Sequence, residues 1–304
     1  LQLHTYFIIS LIAILIGITF VPRLYQMKGV AAPTDSLETL KIMSYNTHIF
    51  GLYDSKIFVD SVFNYLEQEK PDVVCFQEYF QDKTHRHDKT LKKIIAANYN
   101  YLYLEGKYHQ LGLATFSTYP IIQSGIIYLP ESKANKAIFT DISYNKDTIR
   151  IYNIHFQSVS LEKADYRFTD KITGTDVIVK DKNTKKDVKR IFEKLKNGYA
   201  ARSKQVKIIV EHIKKSPYPV IVCGDFNDIP WSYTYQQISN LLTDAFIESG
   251  KGFGYTFYLN KKLPIRIDYI FYDKKLFNSY DYTTDKLPFS DHYPVHTLLH
   301  KTTD

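Results

Sequence analysis

The sequence predicts an α/β fold of two β-sheets packed on each other with helices outside, preceded by an apolar helix at the N-terminus. Three observations carry this reading. From Leu40 to His300, short apolar strand-like runs alternate with stretches of helical spacing, and neither a fixed-period repeat nor a low-complexity linker divides them. Acidic, amide and imidazole side chains gather at the ends of those apolar runs. At the other end of the chain, TYFIISLIAILIGITFV, from Thr5 to Val21, contains no charged residue.

That first stretch is uncharged from Leu1 to Pro22, with His4 counted neutral. At 1.5 Å per residue it can cross a hydrocarbon core of about 30 Å as a helix. A helix apolar on all sides at a chain end has no soluble surface to bury against. Residues 1–22 are therefore read as a transmembrane helix in contact with a lipid bilayer. No basic region precedes it and no small-x-small site follows it, so a cleaved signal peptide fits less well. Because the chain begins at Leu, a longer membrane region is expected. Residues 23–39 read as a linker and residues 40–300 as one domain.

Within that domain, Leu40 to Tyr45 reads as a strand ending at Asn46. Ile57 to Glu69 has Phe58, Val62, Tyr65 and Leu66 at helical spacing and stops before Pro71. Asp72 to Phe76 is a strand ending at Gln77-Glu78. Further strands are expected at Tyr101–Leu104, Leu111–Phe116, Ala137–Tyr144 and Thr148–Phe156, the last alternating through Ile149, Ile151, Asn153 and His155. A basic helical insert, 162–200, leads into Arg202–Ile213, which places Val206, Ile209, Val210 and Ile213 on one face. The strand Val220–Asp225, a helix at Ser232–Leu242, and strands at Arg266–Tyr272 and Val295–Leu299 complete the domain.

Composition is that of a globular protein, with 44% apolar and 23% charged residues in 304. The net charge of +7 is concentrated: Glu162 to Lys215 holds 16 Lys/Arg against 8 Asp/Glu, which leaves the remainder close to neutral. Cys75 and Cys223 lie in apolar runs without zinc-ligand spacing and are expected as buried free thiols.

Asn46, Glu78, His155, Asp225, Asn227, Asp268, Asp291 and His292 all lie at or just beyond strand ends. Taken singly, Asn46 reads as a turn former, Glu78 as a helix-start acid, His155 as a satisfied sheet histidine and Asp268 as a surface carboxylate. Turns do not explain all eight. Asp225 and Asn227, two positions apart at the end of a strand, share a face. Adjacent Asp291 and His292 place a carboxylate and an imidazole on one loop, a minimum for general-base or metal-assisted hydrolysis.

The order Asn46, Gln77-Glu78, Asn153-Ile154-His155, Gly224-Asp225-Phe226-Asn227, Arg266-Ile267-Asp268 and Ser290-Asp291-His292-Tyr293-Pro294-Val295 resembles the endonuclease/exonuclease/phosphatase superfamily, the deoxyribonuclease I-like fold, over about Leu40 to Leu299. Membrane-anchored bacterial members are the most similar, sharing a basic insert and the run Asn227-Asp228-Ile229-Pro230-Trp231-Ser232-Tyr233. The resemblance implies a four-layer α/β sandwich of two mixed sheets flanked by helices, with the site between the sheets at their strand ends. It also implies a bacterial inner-membrane location, with the side faced by the domain left open.

The activity implied is metal-dependent hydrolysis of a phosphoester, foremost a phosphodiester in an endonuclease-like reaction. A cation neutralises developing charge, and a base activates water. Glu78 is expected as the primary ligand of Mg²⁺ or Mn²⁺, with Asn46 and Asp291 completing an oxygen-rich shell. By resemblance His292 takes the water proton and Asp268 orients its ring, with Asp225 as a second group for water activation. Asn227 and His155 bond the phosphate oxygens, His155 doubling as acid to the leaving group; no covalent intermediate is expected. The basic segment, with Lys189, Arg190 and Arg202, is read as contacting substrate phosphates, either of nucleic acid or of a phospholipid headgroup. Ile267-Asp268-Tyr269 departs from the Cys-Asp-Arg element of inositol polyphosphate 5-phosphatases. The alternatives are a phospholipase C- or sphingomyelinase-like lipid phosphodiesterase and, in a different class, an inactive membrane-tethered binding module.

Overall fold

Two parallel strand pairs set the architecture. The computed structural model describes residues 2–33, 38–50, 56–81, 86–106, 110–130, 135–162, 164–165, 182–259 and 263–302. Parts of the expected linker (34–37) and of the expected basic insert (163 and 166–181) lie outside the described residues. The chain begins with α1 (Gln2–Ile18), β1 (Thr39–Asn46), α2 (Lys56–Glu69), β2 (Val73–Gln81), α3 (Arg86–Ile94), β3 (Tyr99–Glu105), β4 (Gln110–Ser117), β5 (Ile121–Ile127) and β6 (Ala137–Tyr144). It continues through β7 (Asp147–His155), α4 (Lys182–Lys214), β8 (Val220–Asp225), α5 (Tyr233–Ser239), β9 (Thr243–Asp244), α6 (Ala245–Ser249), β10 (Asp268–Tyr272), β11 (Phe277–Thr284) and β12 (Val295–Lys301).

One six-stranded sheet has the order β11-β12-β1-β2-β4-β3 and the other β9-β10-β8-β7-β6-β5. Only β1–β2 and β7–β8 run parallel within them. A parallel pair cannot be closed by a hairpin and needs a crossover. Helix α2 lies in one crossover and α4 in the other. Each covers the outer face of its own sheet, which gives helix, sheet, sheet, helix.

Three cores follow from this layering. Ile42, Val73, Cys75, Ile151, Ile221, Cys223 and Ile270 fill the space between the sheets. Val59, Val62, Phe63 and Leu66 of α2, spaced 3 and 4 apart, pack on Met43, Val74 and Phe76. Val206, Ile209, Val210 and Ile213 of α4 pack on Tyr152, Ile154 and Val222. Each such buried aliphatic side chain contributes about 1.5–3 kcal/mol. Central strands are covered on both faces, which is why they read as unbroken apolar runs. Helix α2 ends as its sequence indicates, with Lys70 in the left-handed region (φ 46°) before Pro71. Both cysteines are free and buried.

Helix α1 exposes its apolar side chains, Phe7 by 66%. The window Tyr6–Arg23 has a mean hydropathy of 2.0 over 18 residues, long and apolar enough to span a membrane, and none of it is buried. The residues that follow are seated on the domain. The Arg23 guanidinium donates to the Pro230 carbonyl (2.9 Å) and to Gln236 Oε1 (3.3 Å). The Arg23 carbonyl accepts from Arg266 Nη1 (2.8 Å), and the Leu24 carbonyl from the Gly254 amide (3.1 Å). Tyr25 and Gln26 pair antiparallel with Phe253 and Gly252. Further on, the Val30 carbonyl accepts from the Asp281 amide (2.9 Å) and the Ala32 amide donates to Asp281 Oδ2 (3.0 Å).

Candidate active site

Strand register brings three of the expected residues abreast. His155 at the end of β7 lies beside Asp225 of β8, and Asp225 lies opposite Asp268 of β10. Gly224 permits this approach, because a Cβ there would lie 2.1 Å from the Ile154 carbonyl oxygen. Asp225 Oδ1 accepts from the Asn227 amide (2.7 Å). Its Oδ2 accepts from Asn46 Nδ2 (3.0 Å) and Asn227 Nδ2 (3.2 Å), and faces His155 Nε2 at 3.5 Å and His292 Nε2 at 3.7 Å. One carboxylate oxygen therefore gathers side chains from both sheets. Asn227 is held with φ at 51°, which an Asn tolerates better than most residues.

The facing sheet contributes Asn46 and Glu78. Sequence reading ends the second strand at Glu78, but β2 continues to Gln81 through a register shift between Phe76 and Tyr79. Gln77 and Glu78 together oppose one residue of β4, and Glu78 takes a φ of 49°. Such a bulge re-aims a side chain, and it brings Glu78 Oε1 to 3.8 Å from His155 Nε2. Beneath the site, Gln77 Nε2 donates to Asn153 Oδ1 (2.8 Å), and Asn153 Nδ2 donates to the Phe76 and Ala114 carbonyls (3.0 and 3.1 Å). This buried amide pair ties the two sheets together below the cluster.

The loop before β12 supplies His292. Its Nδ1 contacts Asp268 Oδ1 (3.1 Å) and Oδ2 (2.9 Å), and its ring packs on Phe257 with centroids 4.8 Å apart. Ser290 Oγ fixes the loop by donating to the Asn46 carbonyl (2.9 Å) and accepting from the His292 amide (3.1 Å). Thr256 Oγ1 accepts from the Ile267 and Asp268 amides (3.1 and 3.0 Å). Burial works against a charged His292, yet the Asp268 and Asp225 carboxylates outweigh it and push its pKa up to about 10. Asp268 is itself raised, first by burial, with the His292 charge pulling the other way.

Asp291 sits apart from that hub. Its Oδ1 pairs with His48 Nδ1 at 3.1 Å. That contact and the charge of His292 overcome burial and hold its carboxyl below the ordinary range, and the same bond raises His48. His48 also donates its amide to Asn46 Oδ1 (3.0 Å), so Asn46 joins the two groups. Neither His48 nor Thr256 is signalled by sequence, since each acts through a neighbour distant in the chain or through its backbone. Carboxylate and amide oxygens are what a hard divalent cation takes. Among the described residues, the Glu78 carboxylate has His155 as its one ion-pair neighbour, and Asp225, Asp268 and His292 place ligand atoms within 4.8 Å of one another. Carboxylate donors fit such a cation, and those grouped at the site are Asp225 and Asp268 rather than Glu78 and Asp291.

Clefts open on both sides of the cluster. One of about 300 Å³ is lined by Glu78, Tyr103, Glu105, Lys136 and His155. The other, about 220 Å³, is lined by Tyr199, Arg202, Asn227, Ile229, Phe257 and His292. Arg202 borders the second cleft, but its guanidinium is buried on Asp228 Oδ2 (3.0 Å) and the Gln157 carbonyl (2.8 Å). Lys189 and Arg190 are not drawn into the cluster. Arg190 pairs with Asp165 (2.8 Å) and Asp187 (2.7 Å), and Lys189 lies 3.9 Å from Glu193. Lys194 pairs with Asp165 (2.7 Å) and Glu162 (3.0 Å). Arg190, Lys194 and Arg202 are thus engaged within the molecule, while Lys185 and Lys186 of α4 are exposed.

A second grouping of Glu69, Asp285 and His296 lies away from the site and is balanced by Lys41 Nζ on Glu69 (2.6 Å) and Tyr65 Oη on Asp285 (2.5 Å). Burial raises the Asp285 pKa, but the bonds from His296 and Tyr65 outweigh it and hold it below its ordinary value. A folded-state pKa below the unfolded one adds stability above the unfolded value and loses it as pH falls through the folded one. Asp285→Asn is expected to destabilise the protein at pH 7 and to make little difference once the wild-type carboxyl is protonated. Urea unfolding across pH checks this, and a loss independent of pH would refute it.

A family model described as Endonuclease/Exonuclease/phosphatase family matches residues 43–292. No curated protein matches the sequence. Among solved structures, the endonuclease/exonuclease/phosphatase from Bacteroides vulgatus superposes with a TM-score of 0.61 at 17% identity, over 87% of this chain and 100% of that one. The human Nocturnin catalytic domain with bound sulfate anion gives 0.59 at 17% identity, over 87% and 95%. Beta toxin from Staphylococcus aureus gives 0.56 at 18%, over 85% and 99%. At these identities the likeness is one of fold.

Proposed function

The chain belongs to the endonuclease/exonuclease/phosphatase family, a family of phosphoester hydrolases, and from that premise we propose that it hydrolyses a phosphodiester with activated water and a divalent cation, Mg²⁺ or Mn²⁺. The observation that carries this reading is the convergence on Asp225 Oδ2 of side chains from both sheets, with a cleft on either side. A diester has two ester arms, and two clefts give each an exit. A monoester needs only one.

Glu78, with Asn46 and Asp291, would hold the cation, which when bound supplies charge neutralisation at the phosphoryl oxygens. Asp225 and His292 Nε2 face one space 3.7 Å apart, beyond direct hydrogen bonding. The raised basicity of His292 leaves it protonated at neutral pH, which supports Asp225 as acceptor of the water proton. His292, its Nδ1 occupied by Asp268, then presents Nε2–H to a phosphate oxygen. Asn227 and His155 flank the same position, and His155 faces the Glu78 cleft, where it can protonate a leaving group. The ion pairs of Arg190, Lys194 and Arg202 weaken the case for these three as contacts to a nucleic-acid polyanion. The second reading is a phospholipid diester, favoured by the apolar α1 and by the bond from Arg23, just after it, to the Pro230 carbonyl beside Ile229 of the second cleft.

The test compares bis-p-nitrophenyl phosphate with p-nitrophenyl phosphate, with Mg²⁺, with Mn²⁺ and with EDTA. We expect diester turnover that EDTA abolishes and either metal restores. The same metals should raise the melting temperature of the wild type and not of Glu78→Gln, because a ligand of the native state stabilises it. Turnover that survives EDTA would overturn the metal reading, and preference for the monoester would overturn the diester reading.

A further inference from the structure

We propose that the catalytic domain lies on the bilayer through an aromatic collar around the exit of α1, formed by Trp231, Tyr233, Tyr25 and Phe253. This rests on residues 1–22 being a membrane helix. The collar begins where that helix ends: the Phe20 ring lies 6.5 Å from Trp231, and the Arg23 guanidinium lies over both the Phe20 and Tyr235 rings (5.4 and 5.2 Å). Tyr25 packs edge-on against Phe253 at 4.9 Å. All four collar residues keep exposed rings, from 39% for Tyr25 to 60% for Phe253, and Met27 beside them is 82% exposed. Large exposed apolar side chains clustered in this way mark an interaction surface.

The partner follows from chemistry and position. Tyr and Trp rings, apolar in body and polar at the tip, are favoured at the headgroup level of a bilayer. Lys28 and Lys251 are exposed on the same stretches of chain, and exposed Lys286 lies over the Tyr255 ring (4.9 Å), a charge suited to anionic lipid. Residues 23–32 are fixed by hydrogen bonds and a strand pair, so the domain is clamped to the helix exit at a set height. Trp231 follows Asn227 by one short loop, and Ile229 of that loop lines the second cleft. The collar therefore holds one entrance of the site near the headgroup plane.

Trp231 is the single tryptophan of the chain and reports directly. The full chain would be reconstituted in phosphatidylcholine–phosphatidylglycerol vesicles, floated on a density gradient, and its emission measured with bromine-labelled lipid and with aqueous acrylamide. We expect a blue-shifted emission, most of it lost to lipid bearing bromine near the ester carbonyls and little lost to acrylamide. Trp231→Phe/Phe253→Trp should behave alike, which separates a collar from one ring held against Phe20. Protein that floats with tryptophan open to acrylamide and untouched by labelled lipid overturns the collar and leaves the anchor standing. Protein that fails to float overturns both. Neither readout uses turnover, so the hydrolase reading is judged separately.

Discussion

His292→Ala is expected to slow phosphodiester turnover by about 10³-fold, with Asp268→Asn close behind and the double variant hardly worse than either. Asp268 reaches the ring through Nδ1, at 2.9 Å, and fixes Nε2 toward the site. The same carboxylate is a principal cause of the raised imidazole pKa. An Asn keeps the shape and removes the charge, so the ring loses both its orientation and its proton. Two residues that act as one unit cannot be lost twice. The measurement is the double-mutant cycle on kcat/KM with pH profiles for each variant. Losses that multiply would show that Asp268 and His292 work separately.

Arg266→Met is expected to cost about 3–5 kcal/mol of folding stability. Arg266 and Asp244 form a pair with side chains 0% and 1% exposed. Asp244 also accepts from Tyr235 Oη (2.8 Å) and caps α6 through the Phe246 amide (3.0 Å). The guanidinium lies over the Phe246 and Tyr269 rings at 4.5 and 4.7 Å. Met fills much of that space but leaves the carboxylate buried without its counter-charge. Asp244→Asn added to Arg266→Met should recover part of the loss, because the stranded charge is then gone. Chemical denaturation of all three variants reads this directly. A loss under about 1 kcal/mol for Arg266→Met would mean that the pair is compensated elsewhere.

The part of this fold that was legible in sequence is the part that burial governs. Runs such as Val220 to Cys223 announce themselves because both faces are covered, and α2 because its apolar spacing ends at Pro71. Edge elements were missed for the opposite reason. In β5 only Ile127 is fully buried, and Gly125 serves to leave room for the Phe139 ring, so no alternation shows. In β11 an irregularity between Tyr280 and Thr283, with Asp281 at a φ of 49°, breaks the period. The amphipathic α3, nine residues with buried His87 and Leu91, carries too few apolar residues to stand out. The described part of the basic segment from Lys182 onward and Arg202–Ile213 belong to one helix of 33 residues. At the site, residues at strand ends could be picked out, whereas their pairing could not. The bulge at Glu78, the Asp291–His48 contact and the engagement of Arg202 with Asp228 depend on register and on partners far away in the chain.

The bond from Asn46 to Asp225 spans 179 positions and that from Ser290 to the Asn46 carbonyl 244. Loop-closure entropy makes such long-range contacts late ones, while hairpins and helices form from near neighbours. The first sheet is itself closed by a pairing of β12 with β1, Val295 against Ser44, far apart in the chain, and the active site lies beyond both sheets, across the seam between them. A chain that had completed both sheets without docking them would carry nearly all of its secondary structure and no catalytic centre. Activity is thus a late event on the folding path, reporting both the closure of the first sheet by β12 and its docking on the second.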